Sequence, residues 1–598
     1  MASTFGFTLQ DWQHAYQQDP QCISSLLAAH LDAIDPQDNA WIYLATPAQL
    51  QAQTGPLLEK YLSDPQSLPL FGVPFAVKDN IDVAGWPTTA ACPALTYTAE
   101  ADAFVVAQLK AAGAVVVGKT NLDQYATGLV GTRSPYGAVA NTFNPDYVSG
   151  GSSSGSASVL ARGLVGFSLG TDTAGSGRVP AGFNNIVGLK PTKGWFSGRG
   201  LVPACRLNDT ISVFALSVED AYTVATLAGG YDAEDAYSRR HPHTAPAAFN
   251  ARPDFAIPAA PEFFGDKQAE AAWLKALEQL QAGGATLHPI DFTPFSQLAE
   301  QLYYGPWVAE RTAAVGDMIN RPDEMDPVVY GIVSNGLKYT AVEAYRAEYL
   351  RAELARQIGK TLSGFDALVV PTSPTIHTLE EMTQEPVQYN SQFGTYTNFT
   401  NLADLSALAL PGPFREDGLP AGITLIAPAW HDRALAAFGV TWQQQQALPA
   451  GATGTPLKAP ATPLPASDDH VRVAVVGAHL TGMPLNFQLT TRNAVLVEET
   501  KTAASYRLFA LVDGPVKKPG LLRDENGAAI TVELWDIPLA RFGEFVAEIP
   551  APLGIGTLTL ADGRTVKGFI CEPAVLSQAP EITEFGGWRH WLASLEGK

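Results

Sequence analysis

Residues 448–469 contain PAGATGTPLKAPATPLPASDD, a Pro/Ala/Gly/Thr tract without hydrophobic periodicity. Its prolines favour an extended, semi-rigid spacer, so no single core can run through it. The chain is therefore expected to fold as two units, 1–447 and 470–598, joined by that tract. At 598 residues it also exceeds what one ordinary core accommodates.

The two halves differ in texture. In the first, helical and strand patterns alternate: an amphipathic stretch from Ala103 to Ala112 leads through Gly113 into AVVVG at Ala114–Gly118, a β-branched run of buried-strand type. Further strand-like runs at Leu164–Leu169, Asp254–Ile257, Ala367–Val370 and Ile423–Ile426 are separated by helical patterns such as Lys267–Gln281 and Ala341–Ile358. The alternation predicts an α/β unit with a mixed sheet covered by helices. Beyond the spacer the pattern predicts short strands at Val471–Val476, Ala494–Glu498, Tyr506–Val512, Ile530–Leu534 and Phe545–Ile549, with a hairpin at Ala561-Asp562-Gly563. The second unit should be smaller and mostly β.

A formal charge of −21 argues against nucleic acid and anionic lipid as partners, since both attract clustered Lys and Arg. Four scattered cysteines, Cys22, Cys92, Cys205 and Cys571, have neither zinc-site spacing nor the look of a disulfide framework, so no metal is expected and a reducing cytoplasm is the expected location. The opening MASTFGFTLQDWQHAYQQDP lacks a basic region followed by an apolar one, and no run approaches the length of a membrane span. The chain is expected to be soluble and unexported.

The chemistry concentrates in GGSSSGSASVLARGLVGFSLGTDTAGSGRVP, Gly150–Pro180, with Lys78 upstream in VKDN. No histidine lies between His30 and His241, so a serine nucleophile here needs another base. A phosphate-cradling loop is disfavoured because no GK[ST] follows. Gly151–Gly155 satisfies GxSxG, but the preceding NTFNPDYVSG is turn-forming, whereas a nucleophile elbow needs an entering strand. A third reading joins Ser176 as nucleophile, Ser152 as proton carrier and Lys78 as base. It requires burial to populate the neutral amine, and Lys78 follows the apolar run Phe71–Val77. The small-residue turn Thr173-Ala174-Gly175 could offer backbone N–H groups to an oxyanion. Taken singly, each serine reads better as a turn residue or helix cap than as a catalytic group.

Together, VKDN, GGSSSGSA, the step of 24 from Ser152 to Ser176, GTDTAGSGRVPA and GLKPTKG resemble the amidase signature family over most of residues 20–440. The resemblance implies an amidohydrolase core with Lys78 as base, Ser152 as bridging serine on a cis peptide bond, Ser176 as nucleophile and Thr173, Ala174 and Gly175 around the oxyanion. No cofactor is implied. Many members carry two glycines before the nucleophile; here Ala174-Gly175 precedes it, and this variant is similar to the allophanate hydrolase subgroup. LYYGPWVAER, Leu302–Arg311, resembles the segment that holds the substrate carboxylate in that subgroup, which implies Tyr303 and Arg311 as the anion-binding pair. Read from pattern alone, the two could equally be a packed tyrosine and an arginine paired with Glu310.

VVGAHLTGMPLNFQL from Val475 resembles the subgroup's carboxy-terminal domain, related to γ-glutamyl cyclotransferases. There His479 would assist decarboxylation of the first product, with Glu572 a weaker companion; a histidine after a strand is otherwise commonly structural. The resemblance implies hydrolysis of allophanate, a homodimer, and a separate urea carboxylase as functional partner. Two rivals remain open: an amidase for another small amide such as biuret or malonamate, and an ammonia-supplying component of an amidotransferase assembly.

Overall fold

The computed structural model describes residues 8–35, 37–457, 464, 467–511 and 516–596. Residues 1–7 of the opening segment, residues 458–463, 465 and 466 of the expected spacer, and Val512 at the end of one expected strand lie outside them. Contacts divide the chain into two units: Met1–His241 with Arg252–Leu464, and Pro242–Ala251 with Pro465–Lys598. The short segment Pro242–Ala251 belongs with the carboxy-terminal unit because its backbone is bonded there. His470 Nε2 meets the Ala245 carbonyl at 2.9 Å, and Asn493 Nδ2 donates to the Thr244 carbonyl at 3.0 Å.

In the larger unit, among the described residues, eleven strands form one mixed sheet: Trp41–Leu44 (β1), Pro74–Lys78 (β2), Val115–Thr120 (β3), Phe167–Asp172 (β4), Val187–Lys190 (β5), Thr210–Ala215 (β6), Asp254–Pro258 (β7), Thr286–Ile290 (β8), Ala367–Pro371 (β9), Leu405–Leu410 (β10) and Ile423–Pro428 (β11). Their spatial order is β1-β3-β2-β4-β6-β5-β10-β11-β9-β7-β8. β2 runs parallel to both β3 and β4, while β4, β6, β5, β10 and β11 alternate in direction. Strands β2, β3 and β4 are buried at every residue, which is why they read as apolar runs rather than alternating ones. Apart from Ser168 near the start of β4, their polar exceptions, Lys78, Lys119, Thr120, Thr171 and Asp172, gather near the carboxyl ends, where open α/β sheets form their sites.

The helix Ser154–Ala161 is buried along its whole length. Its residues SGSASVLA are small enough for its backbone to approach the sheet, and its serines replace the bonds that side-chain volume would otherwise exclude. Ser156 Oγ donates to the Leu169 carbonyl (2.9 Å) and shares a 2.6 Å bond with Thr120 Oγ1, tying the helix to β4 and β3. At Gly155 the approach leaves no room for a side chain: a Cβ would sit 2.3 Å from the Ala40 carbonyl oxygen and 2.7 Å from the Asn121 nitrogen. On the outside, the long helix Ala341–Leu362 begins with a reciprocal cap between Thr340 and Glu343 and buries Ala347, Leu354, Ile358 and Leu362. Among the described residues, no helix is long and apolar enough to cross a membrane.

In the smaller unit His470–Val475 (β12), Val495–Lys501 (β13), Thr531–Pro538 (β16), Leu553–Thr559 (β17) and Thr565–Cys571 (β18) form a sheet in the order β13-β16-β12-β18-β17; Tyr506–Leu511 (β14) and Lys518–Arg523 (β15) pair separately. The hairpin at Ala561-Asp562-Gly563 joins β17 to β18. One expectation fails: Phe545–Ile549 is not a strand but overlaps the end of the helix Leu539–Ala547. Apolar residues at Leu539, Phe542, Phe545 and Ile549 recur at helical spacing, and Phe545 is its buried anchor. β15 has no strand signature, since KPGLLR opens with Pro-Gly. Pro519 is tolerated because the strand pairs only with β14.

Replacing Gly155 by Ala should lower the stability of the larger unit by about 3 kcal/mol, because backbone rather than a flexible side chain meets the new methyl group. Denaturant unfolding checks this; a change below about 0.5 kcal/mol would mean that the helix can step away from the sheet.

Candidate active site

Lys78 ends β2 and is fully buried, at 0% exposure. Its Nζ lies 2.7 Å from Ser152 Oγ, 2.7 Å from Thr171 Oγ1 and 3.0 Å from Ser153 Oγ, and it pairs with no carboxylate among the described residues. Burial pulls its pKa from 10.5 down to about 7, against the opposing pull of Asp123, Asp209 and Asp172. A neutral amine has two N–H donors and one lone pair, so one of the three hydroxyls donates to it. Ser153 donates to the Thr171 carbonyl at 3.2 Å, which leaves Ser152 or Thr171. The acid next in sequence is turned elsewhere: Asp79 pairs with the equally buried Lys119 at 3.0 Å and accepts from the Thr89 backbone N–H and hydroxyl.

The Gly151–Ser152 peptide is cis. Ser176 follows β4 in the turn Thr173–Gly177, and the turn is clamped at both ends. Asp172 accepts from Arg178 Nε (2.8 Å), Arg178 Nη2 (2.9 Å) and the Gly177 N–H (3.0 Å), with both side chains buried. Such a bidentate pair fixes direction as well as distance. Thr173 Oγ1 donates to Asp209, whose carboxyl is pushed up by burial and also receives the Ala204 and Cys205 N–H groups. At Gly175 the backbone has φ +141°, and a Cβ would lie 2.4 Å from Thr397 Oγ1, so only glycine fits. Among the described residues, none accepts a hydrogen bond from the backbone N–H of Thr173, Ala174, Gly175 or Ser176, which leaves that turn a row of donors.

Ser176 Oγ donates to the Gly128 carbonyl at 3.5 Å and is not hydrogen-bonded to Ser152. The structure thus joins Lys78 to Ser152 directly and holds Ser176 within the same buried region by another contact.

Arg311 lies on the helix Val308–Val315 and is 1% exposed. Its Nη2 donates to Tyr303 Oη and its Nη1 to Thr127 Oγ1, each at 3.2 Å, and its plane lies over the Tyr303 ring at 4.8 Å. Nε has no partner. The bland pairing with Glu310 is not made: Glu310 Oε1 instead accepts from the Leu207 N–H at 2.6 Å, and burial lifts its carboxyl to about 7. Thr127 and Gly128 are consecutive, so the Arg311 contact and the Ser176 contact meet on one dipeptide.

Sequence reading missed what holds that dipeptide. Arg133, 2% exposed, donates to the Thr127 carbonyl at 2.9 Å and to the Pro386 carbonyl at 2.6 Å. Asp123 accepts from the N–H groups of Val130, Gly131 and Arg133, while its own N–H donates to the Ser152 carbonyl at 3.1 Å. The only sequence signal was a charged residue at each end of an otherwise neutral loop, DQYATGLVGTR.

In the smaller unit His479 is 9% exposed, with Nε2 2.7 Å from Gln488 Oε1, and burial lowers its pKa. Glu572 is exposed, and its N–H donates to the Pro552 carbonyl.

The amidase family model matches residues 23–436, and the model of the allophanate hydrolase C-terminal domain matches 471–593. The chain is 45% identical over 621 residues to a urea amidolyase of Lachancea kluyveri, covering 99% of this chain and 33% of that protein. It thus spans about a third of the length of such relatives. A solved Kluyveromyces lactis allophanate hydrolase is 44% identical with TM-score 0.87, covering 99% of this chain and 100% of that one. A glutamyl-tRNA(Gln) amidotransferase component from Symbiobacterium thermophilum is 32% identical, covering 71% of this chain and 92% of that protein.

The lowered Lys78 pKa predicts a pH dependence. Between about 7 and 10.5 the unfolded chain carries a proton on this amine that the folded chain does not, so stability rises with pH across that window. The slope approaches about 1.4 kcal/mol per pH unit. Denaturant unfolding at pH 7, 8 and 9 should show wild type gaining on Lys78→Met as pH rises; a flat difference would mean an amine that titrates as in water.

Proposed function

We propose that this chain, which belongs to the amidase family, hydrolyses allophanate through Lys78, Ser152 and Ser176. The observation that carries this reading is Arg311: a buried guanidinium with no ion pair among the described residues, one bond away from the dipeptide that holds the Ser176 hydroxyl. A buried cation with no acid at ion-pair distance among the described residues favours an anionic substrate over an uncharged one such as biuret. The likeness to the Kluyveromyces lactis enzyme along both chains supports the same substrate.

In the proposed course the neutral Lys78 amine takes the Ser152 proton as Ser152 takes that of Ser176, and Ser176 Oγ attacks the terminal amide carbon. The N–H groups of Thr173 to Ser176 receive the oxyanion. The proton returns through Ser152 to the leaving nitrogen, ammonia departs, and water releases the acyl group by the reverse relay. Tyr303 and Arg311 hold the substrate carboxylate. The released N-carboxycarbamate loses carbon dioxide, and each allophanate yields two ammonia and two carbon dioxide in all. His479 assists that second stage, in a unit whose GAHLTG segment supports a fold related to γ-glutamyl cyclotransferases. No step calls for a cofactor.

The reading extends to a cytoplasmic homodimer fed by a carboxylase acting on urea; the free thiols of all four cysteines and the urea amidolyase likeness support it. The likeness to an amidotransferase component extends over 71% of this chain and is lower in identity.

Purified protein should release ammonia from allophanate. Ser176→Ala should lower kcat by at least about 10³-fold. Arg311→Ala should cost about 10²-fold in kcat/KM for allophanate and little for biuret. Equal losses on both substrates would remove the carboxylate-binding role.

A further inference from the structure

The Thr127–Gly128 peptide unit touches both ends of the candidate site. The Thr127 hydroxyl accepts from Arg311 Nη1 at 3.2 Å, and the Gly128 carbonyl accepts from Ser176 Oγ at 3.5 Å. Adjacent α-carbons are about 3.8 Å apart, so a single peptide unit sets the span between guanidinium and nucleophile. That unit follows a forced stretch of backbone: Tyr125 and Ala126 both stand at φ +51°, a left-handed conformation that such residues keep only where their surroundings hold them. The Tyr125 N–H is taken by the Ala90 carbonyl, the Thr127 N–H by the Gln124 carbonyl, and the Leu129 N–H by Asn390 Oδ1. The Thr127 carbonyl is taken by Arg133 Nη1 at 2.9 Å, while Nη2 of the same guanidinium bonds to the Pro386 carbonyl at 2.6 Å. The arginine fork thus ties the dipeptide to a segment far away in sequence. Gly128 leaves room for it, since a Cβ there would lie 2.6 Å from Asp123 Oδ2 and 3.1 Å from Arg133 Nη1.

Holding a loop does not require a charge, and burying one without a partner acid is costly. Arg133 is 2% exposed, has no acid at ion-pair distance among the described residues, and leaves Nε without a partner. What the guanidinium adds is a planar fork, which fixes direction as well as distance where an ammonium fixes neither. We propose that Arg133 is a positioning residue: by clamping Thr127 it sets the distance between the carboxylate anchor and the nucleophile, and with it the length of substrate accepted. The roles of Arg311 and Ser176 in this inference rest on the functional reading above. In allophanate one atom separates the carboxylate from the amide carbon. A displacement of about 1 Å at the reacting groups costs on the order of 10²-fold in rate, and one extra methylene displaces them by a comparable distance. A rigid span therefore selects by length, and a slack one does not.

Two dicarboxylates measure the span without turnover: malonate, with one carbon between its carboxyl groups, and succinate, with two. Calorimetric titration of the full chain carrying Ser176→Ala should show malonate binding at least about tenfold more tightly than succinate. Adding Arg311→Ala should abolish the malonate heat, which assigns it to this site. Adding Arg133→Met instead should bring the two affinities within about threefold of each other. Arg133→Lys keeps the charge without the fork and should lower the ratio at least about threefold, so the test holds even where the methionine chain does not fold. A purely structural arginine would weaken both ligands alike and leave their ratio unmoved. An unmoved ratio in the lysine chain, or in a methionine chain whose thermal unfolding is unaltered, would overturn the proposal. So would malonate heat that survives Arg311→Ala, or no preference for malonate at the outset. Absence of allophanate turnover by the wild-type chain bears on the functional reading alone, because these affinities need no catalysis.

Discussion

An amine with no acid beside it, sealed under a sheet, is the interaction on which the larger unit turns. Desolvating a charged lysine is costly, and the protein meets that cost by letting Lys78 give up its proton near pH 7 rather than by supplying a carboxylate. The surrounding acids are committed elsewhere. Asp79 is spent on Lys119, Asp172 on Arg178, and Asp209 on Thr173 and two backbone N–H groups. Were any of them turned toward Lys78 at ion-pair distance, the amine would stay protonated and the three hydroxyls around it would have no base.

Small side chains make this arrangement possible. The helix Ser154–Ala161 can seat Ser152 and Ser153 over Lys78 only because Gly155 allows backbone to touch backbone, and the turn bearing Ser176 reaches its place only because Gly175 leaves room for Thr397. The same compactness excludes water, which strengthens the Arg178–Asp172 clamp and the N–H donors of the turn. Packing and chemistry thus impose one demand on the same residues.

Fold and site were legible in the sequence to different depths. The runs that became β3, β7, β9 and β11 announced themselves because strands buried on both faces are apolar throughout. The helix at Leu539–Ala547 was mistaken because its short apolar cluster fits either period when read over five residues. Lys78, Ser152 and Ser176 stood out because small, hydroxyl-rich loops beside a lysine have few structural uses. Arg133 and Asp123 did not: their partners are main-chain groups, and a side chain that bonds to backbone leaves no trace in any spacing of residue types.

Read by itself, the chain determined its two-part organisation, its α/β and β textures, and the residues proposed for a lysine-based acyl transfer, since periodicity, turn chemistry and loop composition are local properties. Only the tertiary structure decided that Lys78 gives up its proton near pH 7, that Arg311 has no acid at ion-pair distance among the described residues while Glu310 serves Leu207, and that Ser176 leans on Gly128. These depend on desolvation and on which of many charges lies within a few ångströms, quantities set by parts of the chain tens or hundreds of residues apart.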